Sequence, residues 1–63
     1  MTDSQKRLIE EYLNELALER EAGENWNERY MVQQAIYGAM DVLGILGYSV
    51  DEYSTGHFRV EKA

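Results

Sequence analysis

From Trp26 to Gly47 the chain places an apolar or aromatic residue on almost every side of a helix. At 100° per residue, Met31, Ala35, Val42, Leu46, Ala39, Val32, Leu43, Ile36 and Met40 fill an arc of roughly 180°. A surface helix needs an apolar stripe little more than ~100° wide. On the other side, Trp26, Tyr30 and Tyr37 fall within roughly 40° of one another. Such a helix is either central to its fold or shared with a partner. Asn25 is its expected N-cap, Glu28 three residues on completes a capping box, and Gly47 ends it. Gly38 and Gly44 inside the helix each cost about 1 kcal/mol relative to alanine. With Ala35 and Ala39 they would let another backbone approach closely.

The segment before it predicts a first helix over Asp3 to Ala22. Thr2 and Gln5 have the spacing of a capping box. Leu8, Ile9, Tyr12, Leu13, Leu16 and Ala17 repeat at i, i+1, i+4, i+5, i+8 and i+9, which makes one broad apolar face. Leu18 points away from it. Gly23 is the expected stop, in a left-handed conformation that glycine adopts without steric cost. Gly23 and Glu24 alone separate the two patterns, so the helices should form an antiparallel hairpin.

The tail alternates. Tyr48, Val50, Phe58 and Val60 are interleaved with polar residues, the period of a half-buried strand pair. A two-residue loop at Thr55-Gly56 would set Val60 against Asp51 and put apolar residues on opposite faces. A three-residue loop, Ser54-Thr55-Gly56, pairs Val50 with Val60 and Asp51 with Arg59, and gives Gly56 the positive φ such a loop needs. The inner face is then Tyr48, Val50, Phe58 and Val60. Ser49, Asp51, Tyr53, His57, Arg59 and Glu61 face outward. The expected fold is a single α+β domain over residues 1–63, an antiparallel two-helix hairpin followed by a C-terminal two-stranded β-hairpin.

Size changes the picture. A chain of 63 residues buries only about 60% of its unfolded surface, and scaffolds this small lean on disulfides, a metal or oligomerisation. The chain has no cysteine and one histidine, so oligomerisation is what remains. The expected self-association surface is Val32, Ile36, Met40 and Leu43. The start, Met1-Thr2-Asp3-Ser4-Gln5, lacks the basic and apolar regions of a signal peptide. The longest uncharged stretches, Tyr30–Met40 and Val42–Val50, fall short of the ~20 apolar residues of a membrane span. A cytoplasmic protein is the expectation, with no membrane contact.

Charge and chemistry narrow the function. Twelve acids against six bases give a formal charge of −6, which a phosphate backbone repels. Two helices and a hairpin suggest a small winged DNA-binding module, but the second helix carries only Arg29 as a base, and Gln33 and Gln34 are too few to read a groove. Direct nucleic-acid binding is therefore not expected. No nucleophile–base arrangement is present, so no catalytic residue is assigned. His57 beside the turn, near Tyr53, reads as a solvated strand-end histidine. Glu52, His57 and Glu61 are a poor metal set, because pairing sends Glu52 and His57 to opposite faces. Gly38, Gly44 and Gly47 lie in an apolar helix without the lysine of a phosphate-binding loop. Neither cofactor nor metal is expected.

Two surfaces remain. Glu11, Glu15 and Glu19 stack on one stripe of the first helix and repel. With Lys6 and Arg7 near its start and Glu19 and Glu21 near its end, the helix carries charges opposite to those its dipole favours. The stripe either keeps a sticky small protein soluble or imitates nucleic-acid charge, with Glu10 and Glu21 on its flank. At one charge per ~6 Å it is sparse beside duplex DNA, which carries one per ~1.7 Å of axis. Trp26, Tyr30 and Tyr37 are either core, under the hairpin or Tyr12, or an exposed patch beside Gln34 and Asp41 that anchors a partner. The reading is a small acidic, non-enzymatic protein-interaction protein that self-associates and regulates or inhibits a partner protein, of the kind carried by mobile elements such as phages. The alternative is a nucleic-acid-mimic inhibitor of a DNA- or RNA-binding enzyme such as a nuclease, of anti-CRISPR or anti-restriction type. A third class is a subunit stabilising a larger enzyme.

Overall fold

The computed structural model describes every residue from Met1 to Ala63. Its elements run α1 (Asp3–Ala22), α2 (Trp26–Ile45), β1 (Tyr48–Ser54) and β2 (His57–Lys62). The expected helix-helix-hairpin order holds, and the four elements pack together as one α+β unit.

Both helix starts form as their sequences require. Thr2 Oγ1 accepts from the Gln5 amide at 3.1 Å while Gln5 Oε1 accepts from the Thr2 amide at 2.9 Å, a complete capping box. Asn25 Oδ1 accepts from the Glu28 amide at 3.0 Å, but Glu28 Oε2 reaches one residue further back, to the Glu24 amide at 2.8 Å. The α2 box is thus displaced by one residue and ties down the interhelical connection. Its far end follows the expected glycine stop: α2 finishes at Ile45 and Gly47 turns to φ +92°.

Gly23 corrects its expected role. Its backbone is extended, at φ −61° and ψ 131°, not left-handed. Glycine is needed there for space, since an added Cβ would lie 2.8 Å from Arg29 Cγ and 3.2 Å from the Arg20 carbonyl oxygen. Arg29 Nε also donates to the Gly23 carbonyl at 2.9 Å. At Gly38 and Gly44 nothing lies within 4 Å of a Cβ built on either. Within this chain no backbone approaches them.

The hairpin has the expected register, Val50 opposite Val60 and Asp51 opposite Arg59. The loop is different. Ser54 pairs with His57, so Thr55 and Gly56 alone form the turn, and the extra residue is a bulge at Tyr53. Gly56 is the one turn residue with positive φ, +80°, as in a type II turn. Such a turn splays the right-twisted strands it joins, and a bulge beside it restores the twist. Asp51 and Arg59 face each other without an ion pair; Arg59 lies over the Tyr53 ring at 4.5 Å and contacts Glu61 at 3.8 Å.

The core is Leu13 and Ala17 from α1, Ile36 and Leu43 from α2, and Phe58 and Val60 from β2, with Ile9, Leu16, Val32, Ala39, Met40, Tyr48 and Val50 half-buried around it. The expected α1 face is rotated. Leu8 and Tyr12 are exposed, and Glu10 and Asn14 turn toward the sheet instead. Asn14 Oδ1 accepts from the Phe58 amide at 2.8 Å and Glu10 Oε2 from the Val60 amide at 2.7 Å. Two strands alone are marginal in water, and these bonds satisfy edge amides that the other strand cannot reach.

A polar node closes the other end. Arg20, 13% exposed along its side chain, donates to Glu52 at 2.7 and 3.2 Å and to Gln33 Oε1 at 2.8 Å. Glu52 Oε2 also accepts from the Gly56 amide at 2.9 Å. One guanidinium therefore joins α1, α2 and the turn of the hairpin. The Arg20 hydrogen bond, helped by the Gly56 amide and opposed by burial, holds the Glu52 carboxyl below the usual carboxylate range. The same hydrogen bond holds the Arg20 pKa above its ordinary value.

Gly56→Ala should cost about 1 kcal/mol of left-handed strain, a fall of roughly 4–8 °C in Tm for a domain of this size. There is open space for the new methyl group, so an unchanged midpoint in a thermal melt would mean that Gly56 is not held left-handed. Glu52→Gln should cost about 2 kcal/mol at neutral pH, the scale of a hydrogen bond to a charged partner. Because the folded carboxyl titrates below its unfolded value of about 4.3, its stabilisation is intact above that pH and is lost as pH falls through the folded value. Denaturant unfolding of both proteins from pH 7 down to pH 3 checks this: the two stabilities should converge in acid, and parallel curves would remove the pair from the account.

Candidate functional site

Trp26, Tyr30 and Tyr37 lie along α2 at i, i+4 and i+11, which brings them to one side of the helix. The structure leaves all three at the surface. Trp26 is 74% exposed, and its ring stacks on Tyr30 with centroids 5.2 Å apart and planes 18° from parallel. Tyr30 and Tyr37 are about half exposed. Neither Tyr12 nor the hairpin covers them; Tyr12 is itself exposed on the other helix. Gln34 and Asp41 are exposed beside them. A shallow groove lined by Arg20, Glu21, Trp26, Arg29, Tyr30 and Gln33 runs along the aromatic pair, so the rings border the solvent side of the Arg20 node.

The face combines rigidity with reach. The stacked pair spans the first two turns of a helix whose N-terminus is capped by Asn25, so the backbone that carries it is already ordered. Aromatic anchors on a rigid element, with amide and carboxylate groups at the edge, are what protein interfaces concentrate at their energetic centre.

The acidic stripe is on the surface too, with Glu11, Glu15 and Glu19 all exposed. Leu8 and Tyr12 share that side of α1. Glu10, expected to add to the stripe, is instead half-buried and spends one oxygen on the Val60 amide. That side is therefore both less acidic and more apolar than the sequence pattern indicates.

The four residues expected to mediate self-association lie on the internal side of α2. Ile36 is fully buried and Leu43 is 6% exposed, while Val32 and Met40 are half-buried against them. The apolar arc is wide because it serves two directions. Met31, Ala35, Val42 and Leu46 are its exposed remainder, with Ile45 exposed at its edge. An open groove of about 600 Å³ lies at the end of the helical hairpin, lined by Met1, Gln5, Leu8, Ile9, Leu46 and Tyr48.

Sequence reasoning did not find the Arg20–Gln33–Glu52 node. The only signal for it is Glu52, an acid on the inner face of a strand that otherwise points Tyr48 and Val50 inward, which implies a buried basic partner. His57 is exposed, with Nδ1 3.1 Å from the Thr55 carbonyl oxygen and its ring 6.2 Å from that of Tyr53. No three His, Asp or Glu side chains converge in metal-binding geometry, and no helix is long and apolar enough to cross a membrane. The chain matches no protein-family model, no curated protein and no solved structure.

Proposed function

We propose that this chain is a small acidic, non-enzymatic interaction protein that self-associates and regulates or inhibits a partner protein, which it engages through Trp26, Tyr30, Gln34, Tyr37 and Asp41. The observation that carries the reading is the stacked Trp26–Tyr30 pair standing in solvent on a capped helix. Exposing two large rings and a third two turns on brings no benefit to this fold, because the core is complete without them. Burying them against a partner removes apolar area from water at about 25 cal/mol per Å².

A nucleic-acid-mimic inhibitor would use Glu11, Glu15 and Glu19 instead. The inward turn of Glu10 and the exposure of Leu8 and Tyr12 thin that charge further, which favours the aromatic face.

Side-by-side capture from a lysate of the native host, followed by titration of the captured protein, separates the two. Tyr30→Ala should weaken binding by about 2 kcal/mol or more, roughly 30-fold, as for a buried aromatic anchor. Charge reversal of Glu11, Glu15 and Glu19 to lysine should change it little. All these side chains are exposed, so both variants should fold, and circular dichroism checks that. Loss of the partner with the triple reversal, together with steep weakening by added salt, would replace the aromatic reading with the mimic.

A further inference from the structure

Along the outward side of α2, Met31, Ala35, Gly38, Val42 and Ile45 follow one another at spacings of four, three, four and three residues. That is the rhythm of a seam between two helices. All five are exposed, Met31, Val42 and Ile45 by 69%, 57% and 84%. The internal core draws on Ile36 and Leu43, on another side of the helix. No atom lies within 4 Å of a Cβ built on Gly38. Nothing inside the chain therefore calls for glycine there, although glycine in mid-helix is unfavourable.

We propose that a second copy of this chain covers the strip, with the two α2 helices antiparallel and crossing at Gly38. Gly38 is the midpoint between Met31 and Ile45. A two-fold axis there sets Met31 against the partner's Ile45, Ala35 within one residue of the partner's Val42, and glycine against glycine where the backbones come closest. The seam itself carries no charge. On its flank, the antiparallel arrangement brings Asp41 beside the partner's Gln34, an amide donor for a carboxylate, twice by symmetry. A parallel arrangement would set Asp41 against the opposite, apolar flank of its copy, at Ala39 and Leu46, and align the helix dipoles, both unfavourable.

The molecule has surface enough to spare an interface of ordinary size. The chain exposes 4608 Å², where a monomer of its mass exposes about 4,200 Å². A standard interface takes about 800 Å² from each partner, about a sixth of this surface. The molecule is 36 Å long and α2 spans about 30 Å of helix axis, so the seam can run nearly its full length. The inference rests on the self-association in the function proposed above; Gln34 and Asp41, on the border between the two faces, are shared with the dimer, and Trp26, Tyr30 and Tyr37 stay free for a different protein.

The test uses the purified full chain alone, so it is independent of any captured partner. In sedimentation experiments the wild type should be dimeric at micromolar concentration. Gly38→Arg, which has open space in the monomer and a better helix former than glycine, should keep its helical dichroism and weaken the dimer at least about 30-fold. Tyr30→Ala should dimerise as the wild type does. The chain has no cysteine, so Gly38→Cys should cross-link with itself on oxidation, since two-fold copies at the crossing come within disulfide reach. Met31→Cys should not, because its copies lie roughly 20 Å apart along the seam. A wild type still monomeric at hundreds of micromolar, a folded Gly38→Arg that dimerises unchanged, or a Met31→Cys that cross-links as readily as Gly38→Cys would each overturn the proposal.

Discussion

Glu10 and Asn14 on one flank of α1, and Arg20 on the other side of its buried Leu13 and Ala17, each reach out to hold the hairpin. Two strands joined by a turn do not persist in water by themselves. Here the outer amides of Phe58 and Val60 are satisfied by α1 side chains, and the turn is held through Glu52 by Arg20. Phe58 and Val60 can then supply apolar surface to Leu13 and Ala17 without leaving buried donors unpaired, which would cost about 1–3 kcal/mol each. The apolar core and the polar clasp are one device, because burial of the strand depends on hydrogen bonds that only the helix can offer.

That choice of flank explains what is left outside. A helix has one direction in which to face a small sheet, and α1 gives it the side carrying Glu10 and Asn14. Leu8 and Tyr12, on the other border of its apolar pattern, consequently lie in solvent among Glu11, Glu15 and Glu19. The second helix divides differently. Ile36 and Leu43 go inward, Trp26, Tyr30 and Tyr37 form one outer face, and Met31, Val42 and Ile45 form another. Sixty-three residues cannot enclose a helix that is apolar in so many directions. Two apolar or aromatic faces of α2 therefore remain in solvent.

Much of the fold was legible in the residues. Caps at Thr2 and Asn25, the glycine after α2 and the Val50–Val60 register all follow from local chemistry acting over a few residues, and the structure has each of them. What was not legible depends on which elements meet. The inward turn of Glu10 and Asn14 runs against their polarity and arises only because a strand edge lies beside them. Gly23 was misread because its constraint is the bulk of Arg29 six residues away, not its own backbone angle. The Tyr53 bulge lets a two-residue turn keep a register that regular strands reach only with a three-residue loop. The width of the α2 arc was plain, but which residues lie within the core and which outside it required the position of the hairpin.

The clasp on β2 has one more consequence. A two-stranded sheet ordinarily has two open margins, and each can recruit another chain, so strand addition can run on without end. Here the margin at Phe58 and Val60 is occupied by carboxylate and amide oxygens of the same molecule. At most one margin remains, and a sheet that can extend from one side only stops after a single addition. The side chains that anchor the hairpin thereby also act as a chain terminator, working against continued growth through this sheet while they stay in place.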